Sequence, residues 1–211
     1  GTGSRMLSQR DEGDVISMLA PIGQPFELHE NRRRPLLIGG GVGIPPMVFL
    51  ADYITHKASD WRPLVVMGSE IPFPFTLRPS SILIDGMADG AIASMPLLED
   101  WGVPCRLATL QGYSGCYDGY VTDLARVWLG SLGDDALDNV EVFACGPTPM
   151  LRAAAQVAAE FGLPCQVSLE EHMACAVGGC AGCVVEVATE QGPAMKRVCV
   201  DGPVFDAKTV F

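Results

Sequence analysis

Basic residues are scarce in this sequence. Lysine and arginine contribute 14 residues against 25 aspartates and glutamates, which gives a formal net charge of -11 over 211 residues. Binding to nucleic acid or to an anionic membrane depends on clusters of positive charge, so this balance argues against both classes of partner. It favours an enzyme or a protein-binding subunit. A hydrophobic fraction of 48% with 18% charged residues still supplies enough apolar material for a core.

Long apolar runs are also missing. No stretch approaches the ~18 residues that span a bilayer, and the sequence does not open with the charged and apolar segments of a secretory signal. Four of the eight cysteines cluster near the C-terminal end, which is typical of a metal site in a reducing compartment. We therefore expect a cytoplasmic protein without membrane association. Because residue 1 is Gly and not Met, we expect either a removed start or a piece of a longer chain.

Short apolar runs alternate with helical patterns from residue 34 onwards. The runs lie at 36–38, 63–70, 104–112, 139–147 and 164–173. The run at 36–38 is continuous, which is typical of a strand buried on both faces, and the segments between the five runs have helical spacing. The alternation predicts an α/β fold with a doubly wound, parallel, five-stranded sheet. We also expect a strand at Val15–Leu19 and a helix N-cap at Thr122.

Two glycine-rich turns follow predicted strands and precede predicted helices. They contain Gly39, Gly40, Gly41 and Gly43 after the first strand, and Cys145, Gly146 and Pro147 after the fourth. Without a Cβ atom the backbone can approach a diphosphate closely, and a helix N-terminus directs N–H groups at the anion. The first turn is not G-x-G-x-x-G, however, and a tight turn without a ligand explains it almost equally well.

Two side chains in or beside these turns could have a chemical role. Cys145 is interpreted as a packed thiol and not as a nucleophile, because none of the three histidines, His29, His56 and His172, is an evident partner. Glu70 follows the second strand, where a carboxylate that accepts hydrogen bonds from a ribose diol favours NAD over NADP. A solvated carboxylate is the alternative interpretation of Glu70.

The C-terminal cysteines have a distinctive spacing. Cys175, Cys180, Cys183 and Cys199 form a C-x4-C-x2-C-x15-C array within a loop rich in glycine and alanine. This spacing is typical of plant-type [2Fe–2S] ligation, in which small residues let the backbone wrap the cluster. A structural zinc site usually contains two CxxC pairs, and only one is present here. A pair of disulfides is the third alternative.

These motifs together resemble a known family. "IGGGVGIPPM", "VVMGSE", "ACGPTPML", "SLEEHMACAVGGCAGCVVEV" and "RVCVDGPVF" are similar to segments of the electron transfer subunits of two-subunit, NAD-dependent dihydroorotate dehydrogenases, a branch of the ferredoxin–NADP reductase superfamily. The resemblance covers nearly the whole chain. It implies the end of an FAD-binding β-barrel at 1–33, a ferredoxin reductase-like NAD domain at 34–166 and a [2Fe–2S] domain at 167–211. Most of the barrel, including its Arg-Pro-x-Ser type motif, is absent from this sequence.

The resemblance also implies roles for residues. The cluster ligands would be Cys175, Cys180, Cys183 and Cys199, the NAD site would contain Gly39–Gly43 and Cys145–Pro147, and Gly1 and Thr2 would contact FAD. Ala176 stands where the family pattern has glycine.

The implied activity is electron transfer in pyrimidine (UMP) biosynthesis. A catalytic FMN subunit would supply electrons from dihydroorotate, and this chain would pass them through [2Fe–2S] and FAD to NAD+. The implied assembly is a heterotetramer of two catalytic and two electron transfer subunits. The alternatives are a related NAD(P)H–ferredoxin or hydrogenase-associated reductase subunit and a zinc-stabilised nucleotide-binding module.

Overall fold

Seven strands form one sheet in the computed structural model of this chain, which describes residues 1–57 and 60–211. In spatial order they are Val204–Asp206 (β11), Cys165–Ser168 (β8), Val140–Cys145 (β7), Arg34–Gly40 (β1), Leu64–Gly68 (β2), Cys105–Thr109 (β5) and Tyr117–Asp118 (β6). Every neighbouring pair is parallel except β11 and β8, which are antiparallel. The five predicted strands are confirmed as the centre of the sheet.

The sheet contains one more strand at each edge than the five predicted, and only the added strand β11 is antiparallel. The strands β6 and β11 contain two and three residues, and neither has the continuous apolar run that marks a strand buried on both faces. The fifth predicted strand also ends at Ser168 and does not continue to residue 173. A short edge strand has a paired neighbour on one side only, and its sequence carries a correspondingly weak signal.

Seven helices accompany the strands within the residues that the structure describes. They are Thr2–Leu7 (α1), Ile44–Lys57 (α2), Pro96–Asp100 (α3), Val121–Gly130 (α4), Asp134–Leu137 (α5), Thr148–Glu160 (α6) and Ala207–Val210 (α7). A 3-10 turn at Gly41–Gly43 connects β1 to α2. The predicted N-cap at Thr122 was wrong, because Tyr120 holds that position and Thr122 lies buried in the first turn of α4. The described part of the chain also contains two small antiparallel pairs: Arg78–Pro79 (β3) with Ala93–Ser94 (β4), and Val184–Thr189 (β9) with Gly192–Arg197 (β10).

The main sheet is covered on both faces. Successive side chains of a strand point to opposite faces, so Leu36 and Ile38 join a core with residues of α4 and α6, while Leu37 joins a second core with residues of α2. This arrangement confirms the doubly wound prediction, and it explains why β1 is apolar at consecutive positions.

The segment before residue 34 forms no strand among the described residues. Val15 is 98% exposed, and the strand predicted at Val15–Leu19 was wrong because no neighbouring strand pairs with its backbone. The expected barrel remnant is therefore not seen. The last part of the segment does pack against the sheet. Gln24 forms an isolated β-bridge with Pro203, and the rings of Phe26 and Phe143 pack edge to face with 5.6 Å between their centroids.

None of the helices in the described ranges is both long and apolar enough to cross a bilayer.

The central position of β1 predicts a large effect of truncating Leu36, which is 0% exposed. The substitution Leu36→Ala should lower the free energy of unfolding by about 2–5 kcal/mol, because it removes buried methyl groups and leaves a cavity. Leu83→Ala is the matched control, since Leu83 is 91% exposed and its truncation should change stability by less than about 0.5 kcal/mol. Urea denaturation measures both, and equal effects of the two substitutions would contradict the assigned core.

Candidate metal centre and nucleotide cleft

The hairpin of β9 and β10 brings two of the four clustered cysteines together. Cys183 immediately precedes β9, Cys199 lies two residues after β10, and Val184 pairs with Arg197 at the open end of the hairpin. The backbone N–H of Val198 donates to the carbonyl of Cys183 at 3.0 Å, and the N–H of Cys199 donates to the Sγ atom of Cys183 at 3.5 Å. The two strands of the hairpin therefore place Cys183 and Cys199 next to each other.

The other two cysteines form a second pair in the loop. The N–H of Cys180 donates to the Sγ atom of Cys175, and the N–H of Gly182 donates to the Sγ atom of Cys180, both at 3.4 Å. Hydrogen bonds from the backbone N–H groups of Val177 and Cys180, with others from the same loop, lower the pKa of the Cys175 thiol to about 6. Backbone donors aimed at sulfur stabilise the thiolate, which is the form that binds metal.

The two pairs differ in exposure. Cys183 and Cys199 are buried, Cys175 is half-buried and Cys180 is exposed. Burial and a hydrogen bond with the side chain of Cys183 raise the pKa of Cys199. One end of the site is therefore enclosed by protein, and the other end faces solvent.

The arrangement of the four cysteines in two pairs distinguishes a site for a single zinc ion from a site for a [2Fe–2S] cluster. No three cysteine, histidine or acidic side chains in the described residues form one compact group of the kind that binds a single ion. A zinc site needs four ligands around one point, whereas a [2Fe–2S] cluster has two irons with two cysteine ligands each. The donor chemistry and the two-by-two arrangement fit a binuclear iron–sulfur cluster better than a single zinc ion.

The loop backbone takes a shape that most residues avoid. Ala176 and Ala181 have positive φ values of 56° and 54°, and Gly178 has a φ of +79°. A non-glycine residue in this region costs about 1–2 kcal/mol, so the two alanines hold local strain. The strained turns direct N–H groups inward to the sulfur atoms.

One ion pair beside the cysteines was missed by the sequence analysis. Arg197 and Asp201 flank Cys199 and form a salt bridge with an N–O distance of 2.9 Å. Hydrogen bonds from Arg197 lower the pKa of Asp201 to about 2. The spacing of an arginine and an aspartate four residues apart could have suggested the pair.

A cavity of about 390 Å³ opens at the carboxyl ends of β1, β2 and β5. Gly40 and Gly41 from the first predicted turn and Pro147 from the second line it together, as do Glu70 and Tyr120. This is the edge at which ligands bind in open parallel sheets. A larger cavity of about 590 Å³ lies at the opposite edge, where β1, β2 and β5 begin, away from the glycine-rich turns.

The two turns also touch each other. A Cβ atom on Gly43 would lie 1.9 Å from the carbonyl oxygen of Cys145, so only glycine allows this approach. The contacts of two neighbouring glycines are less extreme: a Cβ atom on Gly39 would lie 3.2 Å from the Cα atom of Ile44, and one on Gly146 would lie 3.0 Å from the carbonyl oxygen of Gly40. Gly39, Gly43 and Gly146 do not line the cavity. They allow the two turns that form its wall to pack closely together.

Cys145 and the first two residues occupy different surroundings. Burial raises the pKa of Cys145, which disfavours the thiolate and agrees with its interpretation as a packed thiol. Gly1 and Thr2 lie at the start of α1, a helix in which every residue is exposed. The described residues build no flavin cradle around these two positions, so their contact with FAD stays a prediction from the resemblance.

Comparisons with known proteins agree with this geometry. Residues 170–211 match the family model described as the iron–sulfur cluster binding domain of dihydroorotate dehydrogenase B. The dihydroorotate dehydrogenase B (NAD(+)) electron transfer subunit of Caldanaerobacter subterraneus subsp. tengcongensis is 32% identical, with 100% of this chain and 72% of that protein covered. The protein of the same name from Bacillus caldolyticus is 35% identical, with 100% and 70% covered.

A solved structure is similar over almost the whole chain. It is that of an NADH-dependent reduced ferredoxin–NADP oxidoreductase, described for flavin-based electron bifurcation. The TM-score is 0.69 at 28% identity, and the match covers 99% of this chain and 64% of that chain.

The fold and the paired cysteines define an electron-transfer protein of the ferredoxin reductase class. More specifically, the chain belongs to the family of dihydroorotate dehydrogenase B (NAD(+)) electron transfer subunits, as its relatives show. The resemblance drawn from the sequence motifs is thereby confirmed.

The paired cysteines predict that Cys183→Ser removes most of the bound iron. A serine hydroxyl replaces a buried thiolate, and we expect iron content and the visible iron–sulfur absorbance to fall on the order of tenfold or more. Cys116→Ser is the matched control, because Cys116 is half-buried and lies outside the loop. Equal iron content in the two variants, measured by metal analysis after anaerobic purification, would contradict the assignment.

The contact between the turns predicts a specific role for Gly43. Gly43→Ala forces the backbone of Cys145 to move, so we expect a loss of about 1–3 kcal/mol in stability and weaker binding of NADH. Gly133→Ala is the control, since a Cβ atom there meets nothing within 4 Å. Thermal unfolding and NADH titration measure the two effects. Unchanged NADH affinity in a folded Gly43→Ala protein would exclude this turn from the nucleotide site.

Proposed function

We propose that this chain links the oxidation of dihydroorotate in a partner FMN subunit to the reduction of NAD+. The observation that carries the proposal is the gathering of Cys175, Cys180, Cys183 and Cys199 into two pairs with backbone N–H groups aimed at their sulfur atoms. When bound, a [2Fe–2S] cluster supplies one-electron transfer. The cysteines would ligate it, and the donors would stabilise the negative charge on sulfur.

The cleft at the carboxyl edge is the proposed NAD site. Pro45 and Pro46 have no N–H groups, so the donors for a diphosphate must come from the 3-10 turn at Gly41–Gly43, while the dipole of α2 adds partial positive charge. Glu70 lines the same cavity, where a carboxylate would accept hydrogen bonds from ribose hydroxyls and repel the phosphate of NADP. FAD is the third implied cofactor, with Gly1 and Thr2 as its proposed contacts.

The surface beside the cysteine loop is the proposed contact with the catalytic subunit. Met173 and Val177 are both about half exposed, as expected for apolar side chains that a partner covers. Such a contact would bring the partner's redox centre close to the cysteine loop. We further propose an assembly of two catalytic and two electron transfer subunits in the cytoplasm.

The first experiment is an EPR spectrum of the anaerobically purified chain after reduction with dithionite. We expect the signal of a reduced [2Fe–2S] cluster. A silent spectrum together with zinc and no iron would overturn the electron-transfer proposal and leave a zinc-stabilised nucleotide-binding module.

The second experiment tests the partner and its contact surface. Dihydroorotate-dependent reduction of NAD+ should appear when the catalytic subunit is added to the flavin-loaded protein. Val177→Asp should weaken binding of the catalytic subunit at least about tenfold, because it places a charge in an apolar contact. Met195→Asp is the control, since Met195 is exposed on β10, in the hairpin that follows the cysteine loop.

Two results would contradict this assignment. A folded, flavin-loaded complex without dihydroorotate-dependent activity would favour a related NAD(P)H–ferredoxin reductase instead. Equal loss of partner binding in the Val177 and Met195 variants would remove Val177 from the interface.

A further inference from the structure

We propose that the ion pair of Arg197 and Asp201 is a positioning element of the cysteine site. It holds the loop Cys175–Cys183 against the turn that carries Cys199, and it sets the charge next to the sulfur atoms. The inference rests on the proposed iron–sulfur function and adds a determinant of cluster retention and reduction potential.

The ion pair closes the turn around Cys199. The Nε and Nη2 atoms of Arg197 donate to the two carboxylate oxygens of Asp201 at 2.9 and 3.0 Å, and the backbone N–H of Arg197 donates to the same carboxylate at 2.8 Å. The carbonyl of Arg197 accepts hydrogen bonds from the N–H groups of Val200, Asp201 and Gly202. This bidentate geometry fixes both the side chains and the turn.

The third guanidinium nitrogen reaches across to the cysteine loop. The Nη1 atom of Arg197 donates to the carbonyl of Gly178 at 3.2 Å. The backbone N–H of the same Gly178 acts on the thiol of Cys199 and opposes the rise that burial causes in its pKa. Arg197 thus orients a loop residue whose N–H acts on a ligand thiol.

Packing at Gly178 leaves little freedom for this residue. Its φ is +79°, and a Cβ atom would lie 2.9 Å from Cγ2 of Val200 and 3.1 Å from Nη1 of Arg197. Glycine at this position lets the loop approach the Cys199 turn closely. The guanidinium of Arg197 can then bind the carbonyl of Gly178 and the carboxylate of Asp201 at the same time.

The pair also controls the local charge. The guanidinium of Arg197 acts electrostatically on Cys199 and Cys183, and Lys196 acts on the carboxylate of Asp201. Reduction adds a negative charge to a cluster, so a nearby cation favours reduction and a nearby anion opposes it. The two members of the pair should therefore have opposite effects on the reduction potential.

The ion pair is too exposed to act mainly through fold stability. The side chains of Arg197 and Asp201 are 42% and 28% exposed, and ion pairs with this much solvent access add little to the stability of a fold. Loss of the pair should leave thermal unfolding almost unchanged and alter the site itself.

The test compares Arg197→Gln, Asp201→Asn and the double variant in the iron-loaded full chain. Redox titration followed by EPR measures the reduction potential. Arg197→Gln should disfavour reduction and Asp201→Asn should favour it, each by about threefold in the equilibrium constant, which is ~28 mV for a one-electron couple. The double variant should return towards the wild-type potential, because both charges are gone.

Cluster retention gives the second readout. All three variants should lose iron to a chelator several-fold faster than the wild type, because the loop is no longer tied to the Cys199 turn. Arg197→Lys keeps the charge without the planar fork, so it should keep the potential and still lose iron faster. Arg126→Gln is the control, since Arg126 forms a similarly exposed pair with Glu160 on the helices α4 and α6.

The outcomes separate this inference from the proposed function. Iron-loaded variants whose potentials do not move, or move in the same direction, would overturn the inference and leave the iron–sulfur function intact. A wild-type chain that binds no iron would overturn both.

Discussion

The close approach of two backbone turns is the constraint on which the nucleotide end of this molecule depends. Gly43 lies against the carbonyl of Cys145, and any side chain at Gly43 would separate them. The strands β1 and β7, which lead into these turns, are hydrogen-bonded neighbours in the sheet, with Gly39 opposite Cys145. Because the turns meet, Gly40, Gly41 and Pro147 share one cavity.

The cysteine loop is connected to the same edge of the sheet. Ser168, the last residue of β8, pairs with Cys145, and the chain continues from there into the loop. After the hairpin and the Cys199 turn, β11 returns and pairs with β8, and the N–H of Leu169 donates to the carbonyl of Pro203 at 2.8 Å. The chain thus leaves the sheet after β8 and returns to it at β11. The candidate metal centre and the nucleotide cleft are therefore both attached to the same sheet.

The sequence predicted the parts of this structure that depend on local composition. Strands buried on both faces are rich in apolar residues, as in β1, β2 and β7, and the regular alternation with helical segments added β5 and β8. The cysteine spacing pointed to the candidate metal centre because cluster ligation requires four cysteines irrespective of their surroundings. Val15–Leu19 has the same apolar composition but finds no strand to pair with among the described residues, which composition alone does not reveal.

Features that depend on contacts between distant segments were missed. The edge strand β11 is three residues long, and its pairing with β8 follows from the return of the chain and not from an apolar pattern. The contact of Arg197 with Gly178 joins two sides of a loop across 19 positions, so only the folded chain shows it. The division into domains at 34–166 and 167–211 stays a prediction. Both segments contribute to the main sheet, because β11 pairs with β8.

The properties of the cysteine loop explain why its shape and its metal should be coupled. Ala176 and Ala181 hold strained backbone conformations, and the N–H groups that follow them act on different sulfur atoms: that of Val177 lowers the pKa of Cys175, and that of Gly182 donates to the Sγ atom of Cys180. At the buried end, enclosure of Cys199 raises its pKa and opposes a second negative charge. Metal ligation needs the deprotonated form of each cysteine, so a bound cationic centre would balance the charge of the ligands and would favour the strained turns. Folding of the loop and metal binding should in this way stabilise each other.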